Sequence, residues 1–153
     1  MQTPLSKRIA SVILVKRDDN LAGQPLFQKI DCVRLHVADL DAALAFYCDR
    51  LGHRLIWRSD SAIGLGMPGS DAEIVLVTEE IGEEIDFLVD SADEAVLQMV
   101  EAGGKIITPP FDIPIGRCAV VEDPWRNQFV LLDMSKGSLK TDSEGNVIGN
   151  NER

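Results

Sequence analysis

The segment CVRLHV, residues 32–37, alternates between two kinds of side chain. Its valines and leucine occupy one set of positions, whereas Cys32, Arg34 and His36 occupy the other. Successive side chains of a β-strand point to opposite faces of the sheet. The pattern therefore predicts a strand with one apolar face and one polar row, and the polar row is a candidate site.

A helix is predicted directly after this strand. Asp39 is a suitable N-cap, apolar residues then recur at helical spacing, and Gly52 stands where a helix ends in the left-handed conformation. The same order returns 52 residues further on, where an alternating strand precedes a capping box of Ser91 and Glu94. The chain thus contains two copies of one strand–helix unit.

Each predicted helix is followed by three short β-like runs that turn-forming residues separate. Each unit therefore reads β-α-β-β-β, with module one at about residues 30–80 and module two at about 83–134. A helix that covers one face of such a sheet leaves the other face free. We predict an α+β fold in which two βαβββ modules in tandem form a curved, partly open, barrel-like sheet around a cleft, with the helices outside.

The two ends of the chain differ from the modules. Residues 1–29 form an N-terminal extension in which RIASVILVK, residues 8–16, is a candidate extra strand. Residues 135–153 form a polar tail that is rich in turn residues. This tail is either a small hairpin around Glu144 and Gly145 or disordered.

Charge and composition narrow the classes of partner. The chain carries 25 acidic and 15 basic residues, which gives a net charge of −10. Nucleic-acid binding needs a basic surface that displaces counterions, so this class is disfavoured. No apolar run is long enough to cross a membrane. The three cysteines are odd in number and include no CxxC motif, so they indicate neither a zinc site nor a disulfide framework. We therefore expect a cytoplasmic protein without nucleic-acid or membrane partners.

Two motifs resemble those of a known family. The segment RLHVADLDAALAFYCDRLGHRL, residues 34–55, is similar to the opening unit of the vicinal oxygen chelate superfamily, which includes glyoxalase I, bleomycin-resistance proteins and extradiol dioxygenases. The segment VEDPWRNQFVLLD, residues 121–133, resembles its closing strand, except that Arg126 replaces the glycine of the usual D-P-x-G-N turn. The resemblance covers about residues 30–134 and implies paired modules around a cleft, commonly in a homodimer.

The resemblance also implies where a metal would bind. In metal-dependent members one ligand comes from each of four strands, and these positions fall on Cys32, Val75, Glu84 and Val130. The usual residues there are His or Gln, Glu, His, and Glu. The two valines offer no lone pair, and a catalytic divalent ion needs at least three protein ligands. We expect no cofactor; an improvised metal site of His36, Cys32 and Glu84 is the less favoured alternative.

The polar rows of the two modules supply the candidate ligand-binding residues. Arg34 and Asp86 occupy equivalent positions, so either they form an ion pair between the modules or Arg34 acts as a clamp for an anion. His36 is the best candidate for acid–base catalysis, and the alternative is a hydrogen-bonded histidine without a chemical role. The predicted ligand-binding set is Cys32, Arg34, His36, Glu84, Asp86 and Arg117.

Arg117 joins this set because it ends the stretch PPFDIPIGR, residues 109–117. We expect this stretch to be a long, proline-stiffened loop. It either covers the cleft as a lid or is buried against the other module or a second subunit.

The function that these features favour is binding of a small, partly apolar molecule, with an anion as the candidate charge type, in the cleft of a homodimer that resembles glyoxalase and bleomycin-resistance proteins. The alternative is a metal-dependent or His-dependent lyase, isomerase or dioxygenase with a non-standard site. A second alternative is a non-catalytic dimeric interaction module. The sequence leaves open whether the chain is an enzyme.

Overall fold

The structure is a computed structural model that describes residues 24–80 and 82–152. The candidate strand at residues 8–16 lies outside the described residues. The strands of the described part are β1 (Lys29–His36), β2 (Arg54–Arg58), β3 (Ala62–Met67), β4 (Ser70–Val77), β5 (Glu84–Leu88), β6 (Lys105–Ile113), β7 (Gly116–Glu122), β8 (Gln128–Leu132), β9 (Ser138–Thr141) and β10 (Val147–Asn151).

A helix follows the first strand of each module, as the capping signals predicted. Asp39 caps α1 (Leu40–Leu44), and Ser91 caps α2 (Ala92–Glu101), in each case through a side-chain oxygen that accepts a backbone N–H of the first turn. Neither helix, nor any other within the described residues, is long and apolar enough to cross a membrane.

The first helix changes its winding after Leu44. A π-helical segment, Ala45–Arg50, follows α1 directly, and the Leu51 N–H donates to the Phe46 carbonyl five residues back. Gly52 then takes a φ of +80°, the left-handed conformation predicted for it. The spacing of apolar residues predicted a regular helix here and gave no sign of the wider π turns.

The strands β1–β8 form one sheet in the order β2-β3-β4-β1-β5-β8-β7-β6. Each module contributes four neighbouring strands, and within each module the first strand pairs in parallel with the fourth. The modules join where β1 and β5 run antiparallel in the middle of the sheet. The predicted α+β fold of two βαβββ modules is confirmed, and the curved sheet stays open rather than closing into a barrel.

Each helix covers one face of its half of the sheet. In module one, Leu40 and Ala43 pack on the fully buried Ile63, Leu65 and Leu76. The corresponding cluster under α2 consists of Val89, Ala95, Val96, Met99, Ala119, Val121 and Leu131. Burial of apolar side chains on this scale supplies most of the driving force for folding. The opposite face is left to form the cleft.

Residues 109–117 are a β-hairpin and not a loop, so this prediction was wrong. The strand β6 runs through both prolines, and the chain turns back into β7 at Gly116. β6 lies at the edge of the sheet, where prolines are tolerated because they need not donate to a neighbouring strand. The register also shifts between Thr108 and Phe111, so the prolines sit in an irregular part of the ladder.

The polar tail folds as a hairpin of β9 and β10 around Glu144 and Gly145. The Arg58 N–H donates to the Gly145 carbonyl at 2.8 Å, which ties the hairpin to module one. The Lys136 N–H donates to the Ile115 carbonyl at 2.9 Å, which ties the preceding segment to module two. The hairpin therefore bridges the two modules on the cleft side of the sheet.

Candidate functional site

The strand register places the cleft-facing side chains of both modules in two rows across the middle of the sheet. The first row consists of Glu73, Cys32, Asp86 and Val130, on β4, β1, β5 and β8. The second row consists of Val75, Arg34 and Glu84, on β4, β1 and β5. Paired positions on neighbouring strands lie about 5 Å apart and share a face. The two rows therefore form a compact grid on the cleft side.

Arg34 pairs with Glu84 and not with Asp86. Its Nη1 donates to Glu84 Oε1 at 3.1 Å, and the two side chains are 33% and 25% exposed. An ion pair between the modules is therefore present, but the predicted acidic partner was wrong. The antiparallel pairing of β1 with β5 brings residue 34 opposite residue 84, so Arg34 and Asp86 lie diagonally in the grid.

A cavity of about 550 Å³ opens over the first row. Its floor includes Cys32, Val75 and Asp86, and its other walls come from the turn at Pro114 and from the C-terminal hairpin. The hairpin residues that line it are Ser138, Leu139, Thr141 and Val147. Mostly apolar walls with a few convergent polar groups, at this volume, are typical of small-molecule sites.

Asp86 is the most deeply buried charged residue of the cavity. It is 6% exposed, and its Oδ1 has no hydrogen-bond partner among the described residues. Burial, and then the charge of Glu84, raise the pKa of this carboxyl to about 7, although the Cys32 thiol and Arg34 oppose the rise. Asp86 can therefore give or take a proton near neutral pH.

Two further carboxylates, Asp31 and Glu73, line the cavity. Burial raises the pKa of both, and Glu73 accepts a hydrogen bond from Trp57 Nε1 at 2.6 Å. Asp31 reaches the cavity beside Cys32 because the β1–β5 register shifts between Ile30 and Cys32. Such a shift breaks the strict alternation of faces.

The cysteines of the cleft are poor nucleophiles. Burial raises the pKa of the Cys32 thiol far above its usual range, and the negative charges of Asp86 and Asp31 raise it further. Burial also raises the pKa of Cys118 to about 11. Since the thiolate is the reactive form, both residues act as small apolar groups at neutral pH.

Trp57 forms a wall of the cavity by lying over Gly64. A Cβ at Gly64 would fall 2.0 Å from Trp57 Nε1, so we expect Gly64→Ala to displace the indole and break its bond to Glu73. The cost in stability should be about 2 kcal/mol, the usual range for overpacking. Chemical denaturation measures this cost, and indole fluorescence in a Trp125→Phe background reports the displacement.

Gly66 is the matched control for this variant. It lies on the same strand, two residues along, but a Cβ there would approach only the ends of Ile56 and Arg54, at 3.3 Å and 3.4 Å. The Gly66→Ala variant should therefore keep both the stability and the fluorescence of the parent. Equal losses in the two variants would show that general strand disruption, and not contact with Trp57, causes the effect.

Of the predicted ligand-binding residues, His36, Glu84 and Arg117 do not line the cavity, and Glu84 is held beside it by Arg34. His36 is exposed, and its Nδ1 lies 2.8 Å from the Glu79 carbonyl oxygen. It shares a face with Cys32, but four residues along a strand is about 13 Å, beyond the part that the C-terminal hairpin covers. Arg117 faces α2, where it bonds Asp93 at 2.8 Å, and it also bonds Asp112 of β6 at 3.2 Å.

The residues present do not suit a divalent metal ion. Of the four family ligand positions, Val75 and Val130 are buried apolar residues, Cys32 keeps its proton, and Glu84 is engaged by Arg34. No group of three or more His, Cys, Asp or Glu residues is placed to hold an ion anywhere in residues 24–80 and 82–152. This set falls short of the three ligands of suitable hardness that a catalytic ion requires.

Several residues of the cavity were not in the predicted ligand-binding set, among them Asp31, Trp57, Glu73 and the four hairpin residues. Glu73 lies on the predicted cleft face of β4, so its alternation with Ile74 is the signal that finds it. The register shift that brings Asp31 into the cavity leaves no such pattern in the sequence. The same is true of the C-terminal hairpin, which contacts between distant residues hold in place.

Comparison with known proteins identifies the fold. The chain covers 92% of methylmalonyl-CoA epimerase from Mycobacterium tuberculosis with 74% of its own length, at a TM-score of 0.61 and 21% identity. It covers 97% of the NAD-dependent benzaldehyde dehydrogenase from Legionella pneumophila with 67% of its own length, at a TM-score of 0.57 and 25% identity. It covers 39% of homoprotocatechuate 2,3-dioxygenase from Brevibacterium fuscum, in complex with 3,4-dihydroxyphenylacetate, with 74% of its own length, at a TM-score of 0.56 and 23% identity. The activities named for these structures differ, so the shared fold does not decide the function.

The sequence comparison points to the same family. Among curated proteins none matches this sequence significantly. A family model does match residues 29–131, which span both modules from β1 to β8. The chain therefore belongs to the Glyoxalase/Bleomycin resistance protein/Dioxygenase superfamily.

Proposed function

We propose that this protein binds a small, partly apolar organic molecule in the cavity over the first row, without a resident metal ion. The observation that carries the proposal is the cavity of about 550 Å³, whose apolar walls surround Asp31, Glu73 and Asp86. The residues at the family's four metal-ligand positions support a site without a resident metal ion, because two of them are valines.

The C-terminal hairpin strengthens the proposal. Because Ser138, Leu139, Thr141 and Val147 contribute to the lining, the cleft is covered on a side that the two modules alone would leave open. Burial of most of a ligand's surface is what separates binding sites from shallow grooves. The structural neighbours add that this fold accommodates small organic molecules, as the complex with 3,4-dihydroxyphenylacetate illustrates for the dioxygenase.

A second candidate function is proton transfer to or from the bound molecule. The observation that favours it is Asp86, whose carboxyl has a pKa of about 7 and lines the cavity. A general acid or base works best when its pKa lies near the working pH. Under this alternative Asp86 takes the role that the sequence suggested for His36.

The test of the proposed function is a screen of small organic molecules by thermal stabilisation of the purified protein. Compounds that bind the native state raise its melting temperature by mass action, and we expect such compounds to be partly apolar. Each hit is then incubated with the protein and followed by NMR, where turnover that Asp86→Asn abolishes would favour the proton-transfer alternative.

Two variants of β9 locate the binding. Thr141→Trp places a bulky side chain at the exposed rim of the cavity and should abolish the stabilisation by each hit. Lys140→Trp adds the same bulk one residue earlier, at an exposed position outside the lining, and should leave the stabilisation intact. A library without a single hit, or hits that survive Thr141→Trp, would contradict the proposed function.

A further inference from the structure

The charged groups that line the cavity are unbalanced. Three are carboxyl groups, those of Asp31, Glu73 and Asp86, whereas Arg34 is the one cation among the described residues that line the cavity. Lys29 lies outside the lining and acts on Asp31, whose pKa its charge lowers. Arg34 is already held by Glu84 at 3.1 Å. The second guanidinium on which an anionic ligand was expected to depend, that of Arg117, lies outside the cavity between Asp93 and Asp112.

Asp86 leaves one strong acceptor of the cavity floor unused. Its Oδ1 is buried and has no donor within hydrogen-bond distance among residues 24–80 and 82–152. A buried acceptor without a partner is rare in native proteins, because it carries the full cost of its desolvation. A donor brought by a ligand would remove this cost.

The register sets the spacing of the carboxylates. Glu73 and Asp86 are both paired with Cys32, from opposite sides, so they stand one strand away from it on the same face. Their Cα atoms are therefore about 10 Å apart. Asp31 adds a third carboxyl next to Cys32 in the chain. A cationic group above Cys32 would lie between all three.

We propose that the ligand of this cavity is a primary amine with an apolar body. Its ammonium group donates to Asp86 Oδ1 and is attracted by the negative charges of Asp31 and Glu73. This inference rests on the proposed function, since it names the chemical class that the cavity takes. An ammonium group supplies three N–H donors, and a charge-assisted bond to a carboxylate is about twice as strong as a neutral one.

The remaining surface of the cavity suits the rest of such a molecule. The indole of Trp57 offers an aromatic surface that attracts cations, while Ile56, Val75, Leu132 and Leu139 offer apolar contact. An anion of the same size would meet three carboxylates at close range, and like charges in a partly desolvated site repel strongly.

Three probes with one apolar body test the charge of the ligand, namely 4-phenylbutylamine, 4-phenylbutan-1-ol and 4-phenylbutyrate. Isothermal titration calorimetry at pH 8 should show the amine binding at least tenfold more tightly than the alcohol, with no binding of the carboxylate. Glu73→Gln keeps an acceptor for Trp57 and removes one of the charges that attract the ammonium group, so it should weaken binding of the amine about tenfold. Asp86→Asn should weaken it by a similar factor, as loss of a hydrogen bond to a charged group does.

Glu101→Gln is the matched control, because Glu101 is an exposed carboxylate at the end of α2, outside the cavity lining. Its affinity for the amine should equal that of the parent. Binding of the alcohol or the carboxylate as tightly as the amine would overturn the inference and leave the proposed function standing. An affinity for the amine that neither Glu73→Gln nor Asp86→Asn lowers would likewise overturn the inference and leave the proposed function standing. Failure of all three probes, together with an empty library screen, would overturn both.

Discussion

Replacing Asp133 with asparagine is expected to destabilise the protein by about 3 kcal/mol at pH 7, as the loss of several charge-assisted bonds at a buried site implies. Asp133 is 3% exposed. Its Oδ2 accepts the Ala92 N–H at 2.8 Å, and its Oδ1 accepts the Arg117 N–H at 3.0 Å and the Ser135 Oγ–H at 2.6 Å. One carboxylate thus joins the start of α2, the start of β7 and the segment after β8.

The pH dependence of this loss has a definite sign. Burial alone would raise the pKa of Asp133, but the hydrogen bonds from Ala92, Ser135 and Arg117 outweigh it and hold the pKa below the ordinary value of 3.8. A lowered folded-state pKa stabilises the protein above the unfolded pKa, and this stabilisation disappears as the pH falls through the folded value.

Urea denaturation between pH 7 and pH 3 measures the difference between parent and Asp133→Asn. The difference should be largest at neutral pH and should shrink below about pH 4. Asp123→Asn is the matched control, since Asp123 also accepts backbone N–H groups, from Trp125 and Asn127, but in an exposed turn. A loss in the control as large as that in Asp133→Asn would contradict the importance of burial.

Asp86→Asn is expected to act in the opposite direction and to stabilise the protein at pH 8 by about 2 kcal/mol. The folded-state pKa of Asp86 is about 7, against 3.8 for an ordinary aspartate. Between these values the folded chain keeps a proton that the unfolded chain has lost. Stability therefore falls as the pH rises from about 4 to about 7, and the asparagine removes this fall.

The groups that face Asp86 set the size of this effect. Cys32 and Arg34 lower its pKa, whereas burial and Glu84 raise it. Thermal or urea denaturation at pH 5 and pH 8 measures the gain, which should be clearly smaller at pH 5, where only the first part of the fall between pH 4 and pH 7 has occurred. A variant that is less stable than the parent at pH 8 would show that Asp86 is ionised and satisfied in the folded state.

The fold was predictable because both modules repeat the same local signals. Asp39 and Ser91 cap helices in both copies, and the alternation around Val33 and Ile85 defines two equivalent strands. These signals act over a few residues, so a single sequence reveals them. The cleft face of β1, with Cys32 and Arg34, followed from the same alternation.

The details of the site depend on which face of a strand a residue occupies and on contacts between residues far apart in the sequence. Local sequence patterns reveal neither of these. Arg117 faces the helix because Cys118, its neighbour on β7, faces the cleft. The sequence around it looked like a loop because its prolines are typical of loops, although an edge strand also accepts them. The hairpin that covers the cavity is placed by a contact between Arg58 and Gly145, which lie in different parts of the chain.

The antiparallel junction of β1 and β5 has a consequence for stereochemistry. Perfect two-fold symmetry about Val33 and Ile85 would place the same pair of residues on both sides of the axis. Here one side carries Cys32 with Asp86, and the other carries Arg34 with Glu84. The two sides of the junction therefore carry unlike groups, a thiol beside a carboxyl group on one side and a guanidinium group paired with a carboxylate on the other. A chiral molecule laid across the junction would meet different groups in its two orientations, so a surface of this kind is able to distinguish an enantiomer from its mirror image.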